Sequence, residues 1–464
     1  MTTTTLQRPE DERLGIGANI LYGFQHVLTM YGGIIAVPLI VGQAAGLSTG
    51  EIGILIASCL FMGGLATVLQ TVGIPFFGCK LPLVQGVSFA SVATVVAILQ
   101  GEGGLPAVFG AVIAASLIGL LITPVFSRII RFFPPLVTGS VITAIGLSLM
   151  PVAARWAMGG NSKAADFGSM ANIGLAAATL AIVLLLSKLG NAAISRLSIL
   201  LAMVLGTGLA LMTGMTDFSR VGQGPIFAFP SVFHFGMPTF HFAAIFSMLI
   251  VIMVVLVETA ADILAVGDII ETDIDSGRLG DGLRADMLSS AIAPIFGSFT
   301  QSAFAQNVGL VAVTGVKSRF VVATSGLILL TLGLLPVMGR VIAAVPPSVL
   351  GGAGLVLFGT VTASGIRTLA KVNYDNNMNL IIVATSIGFG MIPIAAPSFY
   401  HHFPEWVQTI FHSGISSAAI MAITLNLLFN HLKFGNSDQQ SVFVAGTSRT
   451  SEPGEIPAKN MHSH

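Results

Sequence analysis

Phe299-Thr300-Gln301-Ser302-Ala303-Phe304-Ala305-Gln306-Asn307-Val308-Gly309-Leu310-Val311-Ala312-Val313-Thr314-Gly315-Val316-Lys317-Ser318-Arg319 lies among long apolar runs, yet Thr300, Gln301, Ser302, Gln306 and Asn307 are polar. The apolar run Val308–Val316 is too short to cross a bilayer, which takes ~20 residues of helix. Polar backbone feeding a half-length helix at membrane depth must be enclosed by protein or line a wet cavity. In transporters such interrupted segments mark the binding site.

The surroundings support a membrane setting. The chain has 464 residues, 54% hydrophobic and 9% charged, with mean hydropathy +0.90. Soluble domains carry about 25% charged residues, so this is a polytopic membrane protein. Net charge is zero and no basic block offers a nucleic-acid surface. Cys59 and Cys79 have no neighbour at metal or redox spacing, and no cofactor or metal is expected. His401-His402 reads as an exposed loop pair, with a metal pair as the alternative. Residues 1–14 lack the basic start and cleavage site of a signal peptide and read as a cytoplasmic tail. Residues 433–464 read as a second, disordered cytoplasmic tail.

Between the tails, apolar runs predict fourteen spans: 15–41, 51–73, 84–100, 104–126, 134–154, 171–187, 195–214, 241–267, 284–297, 304–316, 318–338, 345–365, 378–395 and 406–431. The third and tenth begin with extended, polar-interrupted pieces. The connection 215–240 carries Pro225, Pro230 and Pro238 and reads as an external loop. With both termini inside, sixteen of the twenty Lys and Arg residues fall on the inner side.

A repeat supports this count. Pro124-Val125-Phe126-Ser127-Arg128 precedes Pro134-Pro135-Leu136-Val137-Thr138-Gly139, and 212 residues on Pro336-Val337-Met338-Gly339-Arg340 precedes Pro346-Pro347-Ser348-Val349-Leu350-Gly351. Repeats seven spans apart face opposite ways across the membrane, the inverted plan of secondary transporters. The repeat pairs span 3 with span 10, so two half-helices should point their N-termini at one midplane site.

Ionisable residues inside spans are costly and mark function by default. They are His26 in span 1, Glu258 and Asp262 in span 8, and Asp286 opening span 9. Glu258 and Asp262 are four apart and share a helix face. Two close carboxyls in a low dielectric cannot both ionise cheaply, so one should carry a proton, as proton-coupled transport requires. Either carboxyl could instead be a structural hydrogen-bond partner. His26 has two open roles, a titrating group or a neutral donor clamping span 1 to span 8. Asp286 either caps its helix or relays protons. Gln306 and Asn307 offer donors and acceptors that match a planar edge of alternating C=O and N–H, as in purine and pyrimidine diones; the alternative is that both satisfy nearby backbone. Phe89, after Ser88, is placed either to stack on a flat ligand or to pack.

These residues resemble the nucleobase–ascorbate transporter family, also called the nucleobase:cation symporter-2 family, over about residues 15–432. Gln306-Asn307-Val308-Gly309, followed after four residues by Thr314-Gly315, matches its signature. Gln25-His26, Ser88-Phe89, Glu258, Asp262 and Asp286 match its positions in spans 1, 3, 8 and 9. The resemblance implies an all-α membrane protein of fourteen transmembrane segments in two inverted seven-span repeats. Short strands would precede the half-helices of spans 3 and 10. Spans 1–4 and 8–11 would form a core and spans 5–7 and 12–14 a gate, in an inner-membrane homodimer working as an elevator. It further implies that Glu258 and Gln306 contact the base, that Phe89 stacks, and that the backbone at Ala305 bonds. Ser88 would belong to the substrate-binding set and Asn307 would shape affinity, while His26, Asp262 and Asp286 would be supporting or proton-linked positions. Gln306, where uracil-type relatives carry Glu, points to the xanthine and uric acid permeases. Asp262 and Ser88 favour xanthine; the sequence around Gln25-His26 favours urate. The expected activity is proton symport of xanthine and related oxidised purines, with uric acid permease as the alternative. An anion exchanger on the same architecture, a pore-like channel and a membrane enzyme are the rivals. The acidic site, the polar residues clustered at one depth, and the absence of a nucleophile–base pair oppose them in turn.

Overall fold

A computed structural model describes residues 8–432 apart from 102, 127–133, 192–193, 196, 217, 220 and 376. The predicted disordered tail 433–464 lies outside the described residues, as does Arg128 of the repeat. Helix dominates because backbone in lipid must satisfy its own N–H and C=O groups. The first half runs α1 (Ile16–Ala44), α2 (Thr49–Val72), β1 (Gln85–Val87), α3 (Val92–Gln100), α4 (Gly104–Ile122), α5 (Pro135–Ala157), α6 (Met170–Leu189) and α7 (Ser198–Met212). The second half repeats that order with two short helices added: α8 (Phe242–Ile270), α9 (Ser276–Ile292), β2 (Gln301–Ala303), α10 (Ala305–Thr314), α11 (Arg319–Gly333), α12 (Pro336–Ala343), α13 (Pro347–Leu369), α14 (Asn377–Ala395), α15 (Glu405–Phe411) and α16 (Gly414–Asn426), of which α12 and α15 are the additions.

The repeat read from Pro-Pro has a local cause. Pro134 and Pro346 cap α5 and α13, and Pro135 and Pro347 occupy their first helical position, where a missing N–H costs nothing. Both helices have 23 residues, and α1 and α8 both have 29. β1 and β2 pair antiparallel, with Gly86 opposite Ser302. Equivalent strands that pair antiparallel make the two halves run in opposite senses there. One hydroxyl per half clamps each strand. Thr67 Oγ1 on α2 accepts from Gln85 N at 2.9 Å, and Ser290 Oγ on α9 accepts from Gln301 N at 2.8 Å.

Packing sorts the helices into two groups. In the first, α11 packs on α1 and α2, and its counterpart α4 packs on α8 and α9. Each half therefore lays its fourth segment on the first two of the other. In the second group α5 packs on α13, α14 and α16, while α13 also packs on α6 and α7. No regular element lies between Met212 and Phe242 among the described residues, as the prolines of that connection predicted.

Helix lies within all fourteen predicted runs. Nine described helical stretches are individually long and apolar enough to cross a membrane, with α4 followed on to Val125 and α16 on to His431; there are ten if α11 and α12, bent by 80°, count as one. The run 406–431 is not one helix. It breaks between α15 and α16, where Ser413 Oγ caps α16 by accepting from Ser416 N. The predicted span 284–297 starts too late, since α9 begins eight residues earlier on Ser276, capped by Asp275. Asp286 is therefore an interior residue of α9, and the capping role falls to Asp275. Near the N-terminus, Pro9–Asp11 form a turn seated on the body: Glu10 bonds Arg278 at 2.6 Å and Asp11 bonds Arg319 at 2.7 Å.

Candidate substrate site at the crossing half-helices

The polar residues of 299–319 have distinct tasks. Gln301 is buried in β2, and its Nε2 donates to Phe299 O at 2.7 Å. The strand pairing is extended by Ser88 N donating to Thr300 O at 2.8 Å and Phe304 N to Val84 O at 3.0 Å. This pairing places the starts of α3 and α10 side by side. Ser88 is buried and caps the turn Phe89–Ser91, its Oγ accepting from Ala90 N. Ala305 and Gln306, in the first turn of α10, are exposed. The first N–H groups of a helix have no intrahelical acceptor, so this turn can offer donors to a ligand beside the Gln306 carboxamide.

Gln306 opens into a cavity of about 360 Å³. Its lining comes from α1 and α10 of the first helix group and from α7 and α13 of the second, with Gly33, Ile199 and Leu357 among the apolar walls. Phe89 borders this space through Gly33: a Cβ on Gly33 would stand 2.8 Å from Phe304 Cε1 and 3.6 Å from Phe89 Cε2. Glycine at this position lets the two rings approach α1. Phe89 also meets Phe358 of α13 edge-on, with ring centroids 6.1 Å apart.

Asn307 turns away from the cavity lining and is buried against α1. Its Nδ2 lies 3.0 Å from His26 Nδ1 and 3.0 Å from His26 O. His26 is thus a clamp, but to α10 rather than to span 8.

The acids lie on α8 and α9. Thr259 Oγ1 donates to Asp286 Oδ2 at 2.5 Å and accepts from Ala303 N at 3.2 Å. Gln70 Nε2 of α2 approaches Asp286 Oδ1 at 3.4 Å. Asp286 thereby ties β2, α8, α9 and α2 together. Asp262 Oδ2 is buried without a hydrogen-bond partner, and Asp262 is within electrostatic reach of Glu258 and Asp286. Glu258 is half-buried and makes no hydrogen bond among the described residues.

Thr259 and Gln70 were not singled out from the sequence. Thr259 sits between two acids as if a spacer, and Gln70 is one polar residue in a long apolar helix. Among the described residues no group of three His, Cys, Asp or Glu could hold a metal ion. Cys59 and Cys79 are free and buried.

Comparison with known proteins agrees with this architecture. The profile of the Permease family matches residues 17–399. The uric acid transporter UacT of Escherichia coli is 42% identical, over 91% of this chain and 89% of its own. A xanthine permease of Bacillus subtilis is 39% identical, over 93% of this chain and 98% of its own. Among solved structures, the transmembrane domain of the cyanobacterial bicarbonate transporter BicA superposes with TM-score 0.60 at 16% identity, over 87% of this chain and 97% of that one. SLC26A9 superposes with TM-score 0.59 at 15% identity, over 89% of this chain and 66% of that one. These two show the fold alone. The chain is a multi-pass membrane transporter, not an enzyme, and it belongs to the nucleobase–ascorbate transporter family, in the branch of the xanthine and uric acid permeases.

Proposed function

We propose that the chain takes up xanthine and related oxidised purines across the inner membrane by proton symport. The observation that carries this reading is the Gln306 carboxamide on the exposed first turn of a half-helix, opening into a cavity between two helix groups. Gln306 and Glu258 hold the dione edge of the base, and the first-turn backbone at Ala305 adds donors. Phe89 stacks on the ring. Ser88 and Asn307 fix the two half-helices that carry these contacts. Asp262 and Asp286 share the proton with Glu258, and His26 holds Asn307. The group containing α1–α4 and α8–α12 is the core and the other the gate; the core slides against the gate as an elevator in a homodimer with both termini cytoplasmic.

The names of the relatives favour urate equally, and urate is the second reading. Bicarbonate-type anion exchange is disfavoured because the cavity lining holds no cationic side chain and α8 and α9 carry three acids, Glu258, Asp262 and Asp286. Uptake of labelled xanthine, urate and uracil, with and without a protonophore, tests the proposal. The expected result is protonophore-sensitive accumulation of xanthine or urate and little uracil. Accumulation that ignores the protonophore removes proton coupling, and absence of purine uptake removes the assignment.

A further inference from the structure

Three side chains in the cavity lining are polar: Thr29 of α1, Gln306 of α10 and Thr360 of α13. Thr360 alone comes from the second helix group; its companions there, Ile199, Leu200 and Leu357, are apolar. The Thr360 hydroxyl donates to Leu357 O at 2.6 Å. A threonine hydroxyl has one hydrogen and two lone pairs. With the hydrogen used on its own helix, Thr360 offers the cavity an acceptor and no donor.

We propose that Thr360 is a specificity-determining residue that accepts a hydrogen bond from a ring N–H on the five-membered ring of the bound purine. The inference rests on the purine reading above. A bicyclic dione whose pyrimidine edge lies on Gln306 presents its imidazole edge away from α10, toward the wall built by α7 and α13. On that wall Thr360 is the polar group, and an acceptor there selects bases that carry an N–H at that edge. It rejects bases in which that nitrogen is methylated, because the methyl group both removes the donor and covers the lone pair. Thr360 is exposed in the empty cavity; a bound base would cover it, and a site that pairs a substrate N–H discriminates against analogues that lack it because the covered acceptor is then left unpaired.

The test uses the full chain in proteoliposomes. The KM and maximal rate for labelled xanthine and urate are measured, with inhibition constants for 7-methylxanthine and 9-methylxanthine. Thr360→Val keeps the shape and removes the hydroxyl; Thr360→Ser keeps the hydroxyl. The proposal expects Thr360→Val to raise KM about tenfold, the worth of one hydrogen bond, while the maximal rate changes less than about twofold. It also expects the penalty for one of the two methyl analogues to shrink by a similar factor in Thr360→Val and to return in Thr360→Ser. Thr360→Ala replaces Thr360→Val if the valine variant does not reach the membrane. An unchanged KM together with an unchanged methyl penalty, in a chain that carries xanthine or urate, overturns this inference and leaves the transport assignment standing. Failure of the unaltered chain to carry any purine overturns both.

Discussion

Asn307 holds His26 twice, at the ring Nδ1 and at the backbone carbonyl, each 3.0 Å from the single nitrogen Nδ2. An amide NH2 has two hydrogens, and both are used when Nδ1 accepts. That places the ring proton of His26 on Nε2 and makes the imidazole neutral, with α1 fastened to the half-helix that carries Gln306. Replacing either residue with Ala strands a buried partner, at a cost of about 1–3 kcal/mol. Removing both leaves nothing stranded, so the two losses should not add. A double-mutant cycle on the thermal stability of purified protein should give a coupling of about 1–2 kcal/mol. Additive losses would show that the contact contributes nothing of its own.

Thr259 is the second fastening. It links the Ala303 amide in β2 to Asp286 in α9 through a single hydroxyl. Thr259→Val keeps the shape and strands both groups, so unfolding should be easier by about 2–4 kcal/mol, two lost bonds at about 1–2 each. Uptake should fall as well, because β2 positions the start of α10. Thr259→Ser should recover most of both. If the serine variant is as impaired as the valine, the methyl packing and not the hydroxyl is what matters at this position.

Most of this architecture was legible for identifiable reasons. Apolar runs became helix because lipid leaves backbone no other partner. The two Pro-Pro pairs marked matching helix starts, and the polar residues ahead of Val308 marked a strand and a half-helix. What escaped reading was neutralised or disguised. The first turns of α9 carry Arg278, Asp281 and Arg284, which hydropathy reads as loop. In the fold Arg284 pairs with Asp281 and donates to Phe76 O, while Arg278 donates to Cys79 O and Lys80 O. The break before α16 was hidden because Ser413 interrupts an apolar run by capping a new helix, a job its hydropathy does not reveal. Thr360 was invisible because it comes from a helix far in sequence from the signature and joins the cavity only through packing.

Glu10 and Arg278 form an ion pair that is buried at its acid end and half-buried at the guanidinium, and the two ends are unequally supported. Glu10 is 1% exposed, and its Oε2 has no partner. Arg278 keeps two backbone carbonyls whatever happens to Glu10. Breaking a buried pair costs about 3–5 kcal/mol when it leaves a charge uncompensated, so the order of the two substitutions can be stated in advance. Arg278→Gln leaves the carboxylate buried without its cation and should cost about 3 kcal/mol. Glu10→Gln leaves Arg278 partly satisfied and should cost nearer 1 kcal/mol. Thermal unfolding of the two variants in detergent ranks them; equal or reversed losses would mean that the N-terminal turn is held mainly by Asp11 and its contact with Arg319.

Two glycines separate stability from function. A Cβ on Gly64 would stand 2.5 Å from Leu330 N and 2.6 Å from Gly326 O, backbone atoms that move only if α2 and α11 part. Gly64→Ala should therefore cost the upper part of the ~1–3 kcal/mol typical of overpacking, with uptake per folded molecule changed less than the yield. At Gly33 the obstruction is the edge of the Phe304 ring at 2.8 Å, with Phe89 behind it. A ring can turn aside, so Gly33→Ala should unfold within about 1 kcal/mol of the unaltered chain. The displaced rings then narrow the space beside Gln306, and KM for the carried purine should rise severalfold. Measuring unfolding and uptake on both variants decides the matter: if Gly33→Ala loses stability and keeps its KM, the Phe89–Phe304 pair is packing and not part of the substrate site.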